Sequence, residues 1–141
     1  MIIGNANHDR ITEWNLESGV VRKQYLASID WADFSLSRDG HSLAAAVERG
    51  IRVWDRGSSE VVLDIPVHSE VKAIAFFGDD RVLVSGHQDQ SIRAWHLPTG
   101  QSLGVLFQPD QPMGRPTCLL PSEDGSRLLA WFEDTESLRI I

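Results

Sequence analysis

The chain has 141 residues, enough for one domain with a buried core, and its 42% hydrophobic and 23% charged content excludes a disordered segment. A net charge of −7, with 13 basic residues that form no run, argues against a nucleic-acid partner. With the single cysteine Cys118, no apparent signal peptide and no apolar run near the roughly 18 residues of a membrane span, the expected setting is soluble, reducing and cytoplasmic.

In chain order, IIGNAN reads as the end of one strand, ITEWNLESG (11–19) as a second and GVVRKQYL as a third. IDWADFS and HSLAAAV follow, joined by the turn SRDG, and then IRVWDRGSS (51–59) and EVVLDIPV. The run from His68 to Leu97 is the clearest: VKAIAFF, RVLVSG and SIRAWHL alternate apolar and polar residues, separated by the turn signals GDD and HQDQ. Period-two alternation is the mark of a half-buried strand, and Gly/Asp clusters mark tight reversals. QSLGVLF, PTCLLPS, SRLLAWF (after the turn EDG) and LRII complete the chain.

The segments ITEWNLESG, IRVWDRGSS and IRAWHLPTG align, and their tryptophans Trp14, Trp54 and Trp95 stand 40 and 41 residues apart. Each unit therefore has up to four strands, a to d, in about 40 residues. The pattern resembles the WD-repeat β-propeller family, whose units of about 40–45 residues each form a four-stranded blade with a Trp-Asp signature. Trp54-Asp55 is that dipeptide, and Trp14-Asn15 and Trp95-His96 are departures from it. The resemblance implies an all-β fold with blades at about 1–27 (strands b–d), 28–67, 68–107 and 108–141 (strands a–c), fourteen strands in all.

The resemblance also implies a side-chain hydrogen-bond network in the third unit: His68 entering strand a, Ser85 on strand b, Asp89 in the b–c turn and Trp95 on strand c. The carboxylate would accept from the imidazole, the imidazole would bond the serine, and the serine the indole N–H. Ten residues before the tryptophan place, the other units hold Gly4, Ala44 and Trp131, and six before it they hold His8, Glu48 and Thr135. The third blade is accordingly expected to be the most stable.

With its first and last blades short of a strand, the arc is incomplete. Exposed blade faces would forfeit on the order of 10–20 kcal/mol of burial, against a typical net stability of roughly 5–15 kcal/mol. The expectation is a piece of a longer propeller or a chain that completes itself by association.

For chemistry, His87 with Asp89 and His8 with Asp9 lack the convergent spacing of a metal site. The triad-like set His68, Asp89 and Ser85 would place its serine on a buried strand, away from any oxyanion hole. Cys118 reads as a packed small hydrophobe, and Trp31 and Trp131 as blade packing. No catalytic residue, cofactor or metal ligand is expected. The loops entering strand a and joining b to c gather at one end of such a ring, which makes Asp30, Lys72 and Gln88 candidate contacts for a protein or peptide partner. The reading is a non-catalytic protein-interaction scaffold, part of a larger propeller or multidomain protein. The alternatives are a propeller enzyme with its active site outside this segment, and a truncated product without independent function.

Overall fold

Among the described residues, the runs of period-two alternation form hydrogen-bonded strands, and neighbouring strands within each sheet pair antiparallel because the turns between them are short. The computed structural model of the chain describes residues 2–7, 10–26, 33–133 and 137–141, and within them the protein is all-β, with fourteen strands in four sheets. The first sheet holds β1 (Ile2–Asn7), β2 (Arg10–Trp14) and β3 (Val21–Leu26). The second holds β4 (Phe34–Leu36), β5 (Ser42–Val47), β6 (Gly50–Asp55) and β7 (Val61–Pro66). The third holds β8 (Val71–Phe77), β9 (Val82–His87), β10 (Ile92–His96) and β11 (Gln101–Phe107). The fourth holds β12 (Pro116–Pro121), β13 (Leu128–Phe132) and β14 (Ser137–Ile140). Strands follow sequence order within each sheet, and no described strand of the fourth sheet pairs with one of the first. This is a partial propeller with an open ring.

The tryptophan segments fold alike in detail. Pairing with the outer strand shifts register at each tryptophan, between Glu13 and Trp14, Val53 and Trp54, and Ala94 and Trp95. Immediately after it, a polar side chain builds the turn. Asn15 Oδ1 accepts from the amides of Glu17 (2.9 Å) and Ser18 (3.2 Å), Asp55 Oδ1 accepts from the Ser58 amide (2.7 Å), and His96 Nδ1 bonds Thr99 Oγ1 (3.0 Å). The aspartate of the dipeptide is thus a turn former, and these hydrogen bonds hold the Asp55 carboxyl below its ordinary pKa. Each turn closes with a left-handed residue, Gly19 (φ 66°), Ser59 (φ 65°) or Gly100 (φ 70°), whose amide reaches back to the residue after the tryptophan. Ser59 does so without glycine's freedom.

The core lies between blades. Ile11 and Tyr25 of the first blade meet Leu43, Ala45 and Trp54 of the second. Ala44, Ala46, Ile51, Val53 and Ile65 on its other face meet Ile74, Phe76, Leu83 and Trp95 of the third. Ala73, Ala75, Val84, Ile92 and Ala94 meet Leu119, Leu128, Ala130 and Phe132 of the fourth. Polar staples reinforce these seams. Glu13, 3% exposed, pairs with Arg56 of the second blade at 3.1 Å and accepts from the Tyr25 hydroxyl at 3.1 Å. Lys23 Nζ donates to the carbonyls of Arg56 and Gly57. On the innermost strands, Asp33 Oδ2 accepts from the Ile74 amide (3.1 Å) and Ser35 Oγ from the Phe76 amide (3.3 Å). Burial pushes the Asp33 carboxyl up in pKa, against the hydrogen bonds from Ile74 and Phe34.

Two sequence expectations are corrected here. Cys118 is exposed rather than packed, and Trp131, 38% exposed, points away from the third blade. In β12 and β13 it is the alternate residues Leu119 and Ala130 that face inward, so their neighbours face out. Trp31 lies outside the described residues.

Candidate interaction surface

The His68–Ser85–Asp89–Trp95 set takes a different form in the structure. Ser85 and Trp95 do meet: the indole Nε1–H donates to Ser85 Oγ at 2.7 Å, both residues being buried. The imidazole beside the serine belongs to His87, with Nε2 2.7 Å from Ser85 Oγ and Nδ1 3.1 Å from the Ser69 carbonyl. His68 is exposed. Strand alternation gives the reason. His87 lies two residues beyond Ser85 on β9 and shares its face, whereas Ser69 is tied through its carbonyl and hydroxyl to the β9–β10 region.

The donors fix the protonation pattern. The Ser69 carbonyl can only accept, so His87 Nδ1 carries a hydrogen and donates to it; the neutral imidazole then accepts at Nε2 from the Ser85 hydroxyl, whose oxygen accepts from Trp95. His87 is therefore a neutral Nδ1–H imidazole. Desolvation holds its pKa below the ordinary value, with the positive charge of Arg93 adding to the depression and the Ser69 bond and Asp89 opposing it. Asp89 does not contact the imidazole through a hydrogen bond. Its Oδ1 accepts from the Ser91 amide (3.1 Å) and hydroxyl (2.5 Å), and Oδ2 pairs with Arg93. Burial raises the Asp89 carboxyl pKa, but the Ser91 bonds and the Arg93 charge outweigh it and leave it low.

This arrangement anchors rather than reacts. Ser85 is 0% exposed and already accepts from Trp95, and the histidine's far nitrogen faces a carbonyl instead of a carboxylate. Structural equivalents in the other blades follow from pairing rather than from counting. Ser85 pairs with Arg93, Ala45 with Arg52 and Ala130 with Arg139, while Gly4 pairs with Thr12. The serine place is thus Ala45 in the second blade and Ala130 in the fourth, one residue from Ala44 and Trp131, because the b–c turns differ in length. His8 and Thr135 lie outside the described residues.

Of the expected contact residues, Asp30 lies outside the described residues. Lys72 and Gln88 lie near one another at the end of the third blade. Lys72 Nζ pairs with Glu70 Oε1 at 2.5 Å, and the Gln88 amide donates to the Glu70 carbonyl at 2.8 Å. The rim continues into the fourth blade, where Arg115 Nη1 donates to Gln88 Oε1 (3.4 Å) and Nε pairs with Glu133 Oε2 (2.7 Å). The segment leading to β12 lies over the turn, with Gln108 Nε2 donating to the Asp89 carbonyl and the Met113 amide to Gln90 Oε1. Sequence reasoning missed Glu70, Arg115 and Glu133. Their place in loops entering strand a, or at the end of strand b, was the available signal.

At the opposite end, the a–b turns converge around a cavity of about 260 Å³ lined by Leu36, Arg38, Phe76, Asp80, Pro121 and Glu123. Arg38 spans from the second blade to Glu123 of the fourth, 3.0 Å to its carbonyl. Two of these turns share one design: Ser37 Oγ bonds Asp39 (2.7 Å) and Ser122 Oγ bonds Asp124 (2.6 Å), drawing the Asp124 carboxyl down to about 2. Gly125 sits against Gly78, where an added Cβ would lie 2.6 Å from the neighbouring Cα. Among the described residues, no group of three or more His, Cys, Asp or Glu could hold a metal ion, and no helix is long and apolar enough to cross a membrane.

Residues 59–96 match the family model described as WD domain, G-beta repeat. Autophagy-related protein 16 of Arabidopsis thaliana is 26% identical over 136 residues, covering 94% of this chain, which spans 26% of that relative's length. A solved structure titled Kuenenia stuttgartiensis Hydrazine Synthase superposes with a TM-score of 0.79 at 15% identity, over 94% of this chain and 40% of that one, a likeness of fold alone.

Proposed function

We propose that this chain, built of WD-repeat β-propeller blades, acts as a non-catalytic scaffold that binds a protein or peptide partner. The observation that carries the reading is the polar rim of Glu70, Lys72, Gln88, Arg115 and Glu133 across two blades. Beneath it the Trp95–Ser85–His87 chain ties β9, β10 and the loop at Ser69 into one piece. A fixed frame under polar, partly exposed side chains lowers the ordering cost of binding. The chemistry at the rim is that of hydrogen bonding and ion pairing, and its paired charges suit a partner segment carrying both signs. The family match and the resemblance to part of an autophagy-related protein support the same class of function.

The test is binding of the purified chain to an array of immobilised peptides, with Lys72→Glu and Arg115→Glu as variants. Both substitutions are at the rim and away from the buried network. Loss of the bound set in both variants is expected. An unchanged set in both removes the rim as the binding surface.

A further inference from the structure

His87 stands where the buried network of the third blade meets the rim. The residue is 0% exposed, and its ring packs against the Trp95 indole with centroids 6.4 Å apart. Three hydrogen bonds tie Ser69 and Glu70 to the β9–β10 turn: His87 Nδ1–H to the Ser69 carbonyl, the Asp89 amide to Ser69 Oγ, and the Gln88 amide to the Glu70 carbonyl. Glu70 pairs with Lys72 and Gln88 accepts from Arg115, so these bonds set the spacing of the rim. The pocket suits a neutral ring. A proton on Nε2 would turn that nitrogen into a donor, displace the Ser85 hydroxyl hydrogen and leave a cation shut off from water. Of the charges nearby, Arg93 on β10 repels such a cation and Asp89 in the turn attracts it, but these two are paired with each other. Glu70 and Glu133 are likewise held by Lys72 and Arg115. Burial is the largest influence on the ring, and it disfavours the charge.

We propose that His87 is a proton-driven latch on the rim: a proton taken from solvent onto Nε2 releases Ser69 and Glu70 from the β9–β10 turn, so that Glu70, Lys72 and Gln88 lose their common frame. The charged ring gains water by this opening, and the opening breaks hydrogen bonds at one corner of the third blade while its sheet stays paired. The latch rests on the reading of the rim as the binding surface and adds a regulation to it. A partner that needs the closed rim binds the neutral form alone. Its affinity should therefore hold at neutral pH and fall by up to about tenfold for each pH unit below the His87 midpoint. By linkage, a bound partner lowers that midpoint in turn.

NMR of the ¹⁵N-labelled full chain, titrated from pH 7.5 to about 5, tests the latch without any peptide and without any variant. The imidazole nitrogens should report the Nδ1–H form at pH 7.5 and a midpoint below the ordinary histidine value. Protection of the Gln88 amide against hydrogen exchange, corrected for intrinsic rates, should fall at least about tenfold across that midpoint, while the amides of β5 and β6 keep theirs. A Gln88 amide equally protected on both sides of the midpoint overturns the inference. So does a loss of protection in every sheet at once, which would make the event unfolding rather than a latch. Peptides captured from the array at pH 7.5 should be released with the same midpoint, and release that ignores it also overturns the coupling. An array that captures no peptide at pH 7.5 counts against the rim as the binding surface, and amide exchange then decides the latch by itself.

Discussion

Ser85→Ala isolates the buried chain of hydrogen bonds in the third blade. The substitution removes one hydroxyl and leaves two groups without their partner: the Trp95 indole N–H and the His87 Nε2, on residues 7% and 0% exposed. A buried polar group left unsatisfied costs about 1–3 kcal/mol, so for two such groups the loss should be about 2–6 kcal/mol. Alanine itself fits the backbone at this place, as Ala45 and Ala130 show at the paired positions of neighbouring blades. Any loss therefore reports on the orphaned partners rather than on strain. The measurement is urea unfolding followed by tryptophan fluorescence at pH 7.5, with His68→Ala beside it. His68 is exposed, and its replacement should change stability by no more than about 0.5 kcal/mol. A double-mutant cycle with Trp95→Phe should give a coupling of about 1 kcal/mol or more. If Ser85→Ala falls within about 0.5 kcal/mol of wild type, or if His68→Ala costs as much, the assignment of His87 to this network is refuted.

The remaining predictions concern titration, a turn and the relative strength of the blades. The His87 pKa is depressed in the folded chain, so the unfolded chain takes up its proton first; stability should be full above the unfolded value of about 6.5 and fall as pH drops below it, by up to about 1.4 kcal/mol per pH unit. His87→Gln should flatten that part of the profile, and an unchanged slope would assign the effect to another group. Ser59 holds φ at 65°, where Gly19 and Gly100 stand in the equivalent turns, so Ser59→Gly should stabilise the chain by about 0.5–1 kcal/mol in the same urea assay; a loss would mean that the serine side chain contributes more than its strain. Amide exchange should be slowest in β9 and β10, where both neighbouring blades and the Trp95–Ser85–His87 chain hold the strands, and faster in β2 and β13, each beside an open face. Equal protection in all four strands would contradict that ranking.

The sheets were legible because alternation, turn signals and the tryptophan spacing agreed with one another over most of the chain. The network was legible only as a kind of feature. Counting back a fixed number of residues from each tryptophan assumes one turn length, and the pairings Ala45 with Arg52 and Ser85 with Arg93 show that the turns differ by a residue. In the sequence His87 opens the turn signal HQDQ, although its two-residue step from Ser85 places both on one face of β9. Seams between blades were invisible to strand-by-strand reading, because each joins residues about one repeat apart: Asp33 to Ile74, Ser35 to Phe76 and Glu13 to Arg56. Polar residues repeating at that separation were the signal to use. The outward turn of Cys118 and Trp131 follows from which alternate set of β12 and β13 meets the third blade, a choice that both sets, being apolar, left open in the sequence.

The contacts from Asp33 and Ser35 to β8 also bear on how the protein avoids misassembly. β8 pairs with β9 along one side only, and the Ile74 and Phe76 amides point away from that partner. Bare amides along such a border are a template on which a foreign strand can align, the usual seed of aggregation. Here two side chains from the neighbouring blade occupy them, so a growing fibril finds no vacant donors at those positions. The protection depends on the blades' staying docked. Parting the second blade from the third would expose an apolar face and a strand border in the same event, so the opening of that seam would convert the folded chain into an aggregating one.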